Sequence, residues 1–139
     1  MEATMEFVKT RKLHVNLLPF QSKYMSSSDD IKEAIKEDNV TALDIIKNGN
    51  IIGFVMIKNY GSYINLSNYA IDCNYQNKGN GKKALKEFIK YVNDEYNISN
   101  IRVAISKDNK KALHIFNDSN FIQMSSSNDR IDMLLENSI

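Results

Sequence analysis

The chain has 139 residues, 42% of them hydrophobic and 25% charged, with a formal net charge of +1, the proportions of one globular domain with a sizeable core. That balance excludes a global field for nucleic acid or an anionic membrane, and no apolar run approaches the ~20 residues of a membrane-spanning helix. The lone Cys73 excludes an internal disulfide, and MEATMEFVKTRKLHV lacks the apolar stretch of a signal peptide, so a cytoplasmic protein forming one domain over residues 1–139 is expected.

In chain order, MEFVKTR (5–11) reads as an opening strand. LHVNLLPFQSKYM (13–25) reads as two helical pieces broken at Pro19, the only proline. DDIKEAIKED (29–38) reads as a short helix with Ile31, Ala34 and Ile35 on one side. Ser28 or Asp30 serves as its N-cap, and Glu33 follows Asp30 at capping-box spacing. VTALDIIKNGNIIGFVMIKNY (40–60) gives two strands around KNGN, a hairpin turn in which Asn and Gly tolerate positive φ.

The next strand is irregular. In SYINLSNYAIDC (62–73), Ile64 and Leu66 fall on even positions, whereas Tyr69, Ile71 and Cys73 fall on odd ones. Strand faces repeat every two residues, so one extra residue near Ser67 and Asn68 moves everything after it to the other face. A β-bulge does this, and bulges gather beside active sites; two short strands joined by a kink give the same pattern.

QNKGNGKKALKEFIKYV (76–92) then opens an amphipathic helix with Ala84, Leu85, Phe88, Ile89, Val92 and Tyr96 along one stripe. IRVAIS (101–106) alternates as a strand, DNKKALHIFNDSN (108–120) is a helix capped by Asp108 or Asn109, and FIQMSSSNDRIDMLLE (121–136) closes as a hairpin. The expected fold is α/β of the mixed α+β kind. It has a mostly antiparallel sheet of about seven strands with a bulged, splayed central strand, about four helices, and hairpins beside one βαβ crossover.

The segment from Gln76 to Lys83 carries the chemistry. A helix N-terminus disfavours cations, yet Lys82 and Lys83 sit there, and Lys110 and Lys111 repeat the pattern at the following helix. A Walker loop is excluded, because Gly79 and Gly81 are one residue apart and no Ser or Thr follows the lysines. Gly79, Gly81 and Ala84 fit a dinucleotide fingerprint on spacing alone. The preceding antiparallel strands and the lack of an acid in SNIRVAI contradict it. What survives is shared physics: the glycines let backbone N–H groups approach an anion at a helix start, beside Lys78, Lys82 and Lys83. Two such helix starts suit an extended polyphosphate; the simpler alternative is a solvated lysine surface.

Gln76-Asn77-Lys78-Gly79-Asn80-Gly81, at a strand-to-helix junction, resembles the signature of the GNAT superfamily of N-acetyltransferases: Gln or Arg, two residues, Gly, one residue, Gly or Ala. The resemblance extends over nearly the whole chain, slipped strand included. It implies acetyl-CoA as co-substrate and no metal, with the pyrophosphate on Gln76 to Lys82 and the pantetheine arm along Tyr69, Ile71 and Cys73. A second family pattern places Asn109 against the pantetheine arm and runs on through Ala112, Phe116 and Asn120-Phe121. Phe116 stands where the family commonly has a tyrosine that protonates the departing thiolate, so that general acid is absent. Asn120 replaces a glycine, a mild change since Asn tolerates the left-handed conformation.

In such proteins an amine attacks the thioester directly, and the backbone N–H of Ile71 is the candidate oxyanion donor. No general base is identifiable. Asp72 reads as a turn acid, Cys73 as a small buried thiol, and His14 (in the first helix) and His114 as surface or edge residues. Gln21, Tyr24 and the serines after it resemble the bacterial spermine/spermidine acetyltransferase branch, with Tyr24, Asp29 and Glu33 as acceptor-site residues. A capped helix with a solvated acidic face is the account of those acids that charge runs usually support. The expected function is acetyl transfer from acetyl-CoA to a primary amine of a small molecule, a polyamine among the options, with no nucleic-acid or membrane partner and room for a homodimer. The alternative is a catalytically weak acyl-CoA-binding sensor or partner-binding module; acetylation of a protein or peptide amine ranks below both.

Overall fold

Alternating apolar residues flanking Asn48-Gly49 build the first half of the sheet. A computed structural model describes residues 5–136. Strands β1 (Met5–Thr10), β2 (Val40–Lys47), β3 (Asn50–Asn59) and β4 (Ile64–Ile71) form an antiparallel meander, and β5 (Asn100–Ser106), β6 (Ile122–Ser126) and β7 (Arg130–Glu136) complete it in the order β1-β2-β3-β4-β5-β7-β6. Asn48 (φ 52°) and Gly49 (φ 78°) both take the left-handed conformation that a two-residue hairpin turn requires. The sheet is buried on two sides in its centre. Leu43, Ile45, Val55, Ile57 and Leu66 join the main core, while Ala42, Phe54 and Met56 join a smaller core on the opposite face.

Helix α3 (Asn80–Tyr96) covers the main core with Ala84, Leu85, Phe88 and Val92, all buried, and α4 (Lys110–Asp118) adds Phe116 beside it. Helix α2 (Ser28–Ala34) lies on the other side, where Ile31 enters the smaller core, and the short α1 (Pro19–Ser22) lies at the end of β4, where Gln21 reaches the Ile71 carbonyl. Among the described residues no helix is long and apolar enough to cross a membrane.

The slip in β4 is a bulge. Met56 pairs with Asn68 but Ile57 pairs with Leu66, so Ser67 has no partner on β3 and faces solvent. Ile64 and Leu66 before it, and Tyr69 and Ile71 after it, therefore all meet the main core. Parallel pairing of β4 with β5 runs only from Ile64↔Ile101 to Leu66↔Val103. Beyond that point the two strands part.

Four local expectations are corrected. The segment before Pro19 is not helical, and helix occupies only Pro19–Ser22, with proline at its first position, where a missing N–H costs nothing. The competing attraction is distant: Asn16 N donates to Asp72 Oδ2 (2.8 Å) and Asn16 O accepts from Cys73 N (2.9 Å), holding this stretch extended. His14 thus sits in a loop rather than a helix, and its Nδ1 lies 3.1 Å from the buried Asp44 carboxylate. The N-cap of α2 is Ser27, whose hydroxyl accepts from Asp30 N, and not Ser28 or Asp30. Cys73 lies outside β4, at the start of a 3-10 turn capped by Asp72.

Candidate active site

Where β4 and β5 part, two cavities meet across the sheet. The first, about 320 Å³, lies against the starts of α3 and α4, a volume in the range of small-ligand pockets. The second, about 530 Å³, opens between the strands towards the Lys23–Ser26 segment and the β6–β7 turn. Tyr24, Met25, Tyr69, Asn109, Ala112 and Phe116 line both.

The first cavity is floored by the glycine loop. Asn77 (φ 60°) and Gly79 (φ 78°) are left-handed, and a Cβ on Gly79 would meet nothing within 4 Å. Gly79 is the N-cap of α3 and offers no side chain to satisfy the first N–H groups, which leaves them to an anion. Lys111 reaches across from α4, its Nζ 3.2 Å from Asn77 Oδ1 and 3.4 Å from Gln76 Oε1. The two lysine-bearing helix starts therefore converge on one cavity. Lys82 Nζ lies 3.7 Å from Asp118, which also pairs with the exposed His114 (3.2 Å) at the rim.

The end of β4 is fixed from several sides. Asp72 N donates to Ile52 O on β3 (2.8 Å). Successive strand residues turn their backbone groups to opposite edges, so Ile71 N–H and C=O face the gap towards β5. The Ile71 carbonyl accepts two side-chain amides, Gln21 Nε2 from α1 and Gln76 Nε2 from the glycine loop, each at 3.0 Å. Asp72 is indeed a turn acid, accepting from Asn74 N (2.9 Å) and Asn16 N.

Tyr69 and Phe116 form the partition between the cavities. Their rings pack edge-on at 6.0 Å, and Phe116 packs edge-on against Phe121 at 5.0 Å. The Tyr69 hydroxyl donates to Gly81 O, tying β4 to the first turn of α3. Desolvation pushes its phenol pKa well above 10, so the group stays protonated. Phe116 is buried at 2% exposure and supplies no proton. Asn109 caps α4, accepting from Ala112 N at 3.3 Å, and Asn120 (φ 71°) takes the left-handed conformation its sequence position called for.

The sequence-selected residues divide cleanly. Tyr24, Tyr69, Ile71, Gln76, Asn77, Gly79, Gly81, Lys82, Asn109 and Phe116 line the first cavity. Cys73, Lys78 and Asn80 do not. Cys73 N is taken by Asn16 O, exposed Lys78 reaches Asn74 O (3.4 Å), and buried Asn80 donates to Tyr75 O while accepting from Lys47. Asp29 and Glu33 line neither cavity; Glu33 pairs with Lys36 at 2.8 Å on the solvent side of α2.

Sequence reading gave Asn68, Lys23 and Asp108 no place in the site. Asn68, 3% exposed, accepts from Ser26 N (2.8 Å) and donates to Ser26 Oγ (3.0 Å), pinning the Lys23–Ser26 segment to the bulge. A buried polar side chain beside the alternation slip was the available signal. Lys23 and Asp108 pair at 3.4 Å across the mouth of the second cavity, and nothing local marks that pair.

The sequence model of the acetyltransferase (GNAT) family matches residues 9–121. Among curated proteins no relative matches. The fold is similar to that of Campylobacter jejuni N-acetyltransferase PseH, solved in complex with acetyl coenzyme A (TM-score 0.75, 17% identity, 97% of this chain and 100% of that chain). It is also similar to an Elizabethkingia anophelis GNAT family acetyltransferase with acetyl-CoA bound (TM-score 0.72, 15% identity, 96% and 97%). A spermidine N-acetyltransferase of Vibrio cholerae is similar over less of its length (TM-score 0.64, 19% identity, 81% and 75%).

Proposed function

Since the chain belongs to the acetyltransferase (GNAT) family, we propose that it moves an acetyl group from acetyl-CoA directly onto a primary amine of a small molecule, with residues 1–139 acting as one domain. The observation that carries this reading is the pair of cavities meeting at the β4–β5 gap, one floored by an anion cradle and both sharing Tyr69, Asn109 and Phe116. The diphosphate sits on the glycine loop and the start of α3, near Lys82 and Lys111. The pantetheine arm follows the Tyr69–Ile71 edge, and the acceptor enters from the second cavity.

In this scheme the amine lone pair attacks the thioester carbonyl carbon, and Ile71 N–H receives the developing oxyanion. The intermediate collapses with cleavage of the C–S bond, giving an amide and a thiolate. Water takes the ammonium proton and returns one to the thiolate, since neither Phe116 nor the Tyr69 phenol, bonded to Gly81 O, serves that transfer. Alignment of amine and thioester supplies most of the acceleration, on the order of 7–11 kcal/mol in the best cases. Cys73 lies off both cavity linings, which supports direct attack over a covalent enzyme intermediate.

Coenzyme A release, measured over polyamines, amino acids, aminoglycosides and short peptides, tests the proposal, with acetyl-CoA binding followed by thermal shift. Release with one amine class is the expected result; firm binding without release from any amine would sink it. A second reading, a catalytically weak acyl-CoA binder, is favoured by the apolar Phe116 between Tyr69 and Phe121. Phe116→Tyr decides between them. A transferase that lacks only its general acid gains rate, by as much as ~10²-fold, whereas a rate appearing where none existed marks the natural chain as a binder.

A further inference from the structure

The charges at the mouth of the second cavity do not suit a polycation. Lys23 and Arg130 face Asp108 and Asp129 there, so the mouth carries no excess of carboxylates. Lys23 and Asp108 already neutralise each other at 3.4 Å. Asp108 is further held by the Ser106 hydroxyl (2.7 Å), which keeps its carboxyl below the usual range. The acids that would attract a polyamine, Asp29 and Glu33, lie on α2 away from the cavity.

Beyond the Lys23–Asp108 pair, the mouth's remaining charges are Asp129, which accepts from the Ser127 hydroxyl (3.3 Å), and Arg130. Among the described residues no carboxylate lies within ion-pair distance of it, although the backbone beneath it is firmly held. Arg130 O accepts from Ser127 N (2.9 Å), Asp129 O accepts from Lys107 N (2.8 Å), and Arg130 stands opposite Ser106 at the end of β5. A guanidinium on a fixed hairpin beside a catalytic gap is suited to a carboxylate or phosphate, which its planar fork can bind through two parallel hydrogen bonds.

We infer that the acceptor is an amine that also carries an anionic group, and that Arg130 binds that group while the amine reaches into the β4–β5 gap. This rests on the transferase reading above and narrows it: the substrate class is amino acids, short peptides or aminoalkyl phosphates rather than polyamines. The two anionic sources share one chemistry and are separated by the assay.

The experiment compares matched pairs on the full chain by coenzyme A release: an amino acid against its amide, an aminoalkyl phosphate against the corresponding amino alcohol, and spermidine alone. The anionic member of a pair is expected to be preferred by about tenfold or more in kcat/KM, the size of one charge-assisted contact. Arg130→Ala should raise KM for that member by a similar factor, leave kcat and the neutral member unchanged, and be partly rescued by Arg130→Lys. A merely structural arginine would move both members alike. Equal use of both members, a preference for spermidine, or an Arg130→Ala effect blind to acceptor charge each overturns the inference and leaves transfer standing. Absence of release from every amine removes the transfer reading, and this inference with it.

Discussion

Replacing Gly81 by aspartate is expected to weaken acetyl-CoA binding by about a hundredfold or more, equivalent to roughly 2.7 kcal/mol, without unfolding the protein. Gly81 lies in the first turn of α3, on the lining of the first cavity. An acidic side chain at a helix N-terminus ordinarily stabilises the helix, by about 0.3–1 kcal/mol. The added Cβ would come 3.1 Å from Ile115 Cδ1, the flexible end of a side chain that can give way. Stability and binding should therefore move in opposite directions or only binding should move, because the new carboxylate occupies the cradle proposed for the diphosphate. Calorimetric titration with acetyl-CoA and a thermal melt on the same sample read the two effects separately. Binding retained within about threefold would show that the anion lies elsewhere.

Gly53→Ala should cost about 1–3 kcal/mol of stability and lower kcat by as much as ~10²-fold, the penalty for misplacing reacting groups by an ångström. Gly53 pairs with Ile71, and its φ is not left-handed, so the glycine is required for space rather than for conformation. A Cβ there would lie 2.8 Å from the Ala70 carbonyl oxygen, 3.0 Å from Ile45 Cδ1 and 3.1 Å from Ile71 Cδ1. The Ala70 oxygen is backbone and cannot rotate aside. Relief comes only by pushing the end of β4 away from β3, which carries the Ile71 peptide with it. Chemical denaturation and steady-state kinetics measure the two losses; a variant of native stability with unchanged kcat would detach Ile71 from the reaction.

The parts of the site that the sequence discloses are those governed by local chemistry. The bulge shows because parity along a strand is a two-residue rule, and Ser67 breaks it visibly. The anion cradle shows because Gly79 and Gly81 precede lysines at a helix start, where lysines are otherwise unfavourable. What stayed hidden depends on partners far along the chain. Asn16 is drawn out of a helical pattern by Asp72, and the Gln21 side chain reaches from α1 to the Ile71 carbonyl, contacts no window of neighbouring residues contains. The acids of α2 were misleading for a related reason: helical periodicity says which side of α2 is apolar, but not whether its polar side meets a cavity or water. In the fold it meets water, and the charged mouth is assembled instead from Lys23, Asp108, Asp129 and Arg130.

The short seam between β4 and β5 has a consequence for how the molecule assembles. Strands β2 to β4 pair with their neighbours in sequence through short turns, so that part can zip up locally. β5 joins them only across α3 and through three residue pairs, a non-local closure that bears its loop entropy before few contacts repay it. The seam beside the proposed catalytic gap is then expected to form late on folding and to open early in the native state. Amide hydrogen exchange along Ile64–Leu66 and Ile101–Val103 should be faster than in the β2–β3 hairpin, and equal protection would contradict that order. Stabilising the joint with longer pairing would close the space proposed for acetyl-CoA and its acceptor, so on that proposal a weak point in the architecture and the room for chemistry are the same feature.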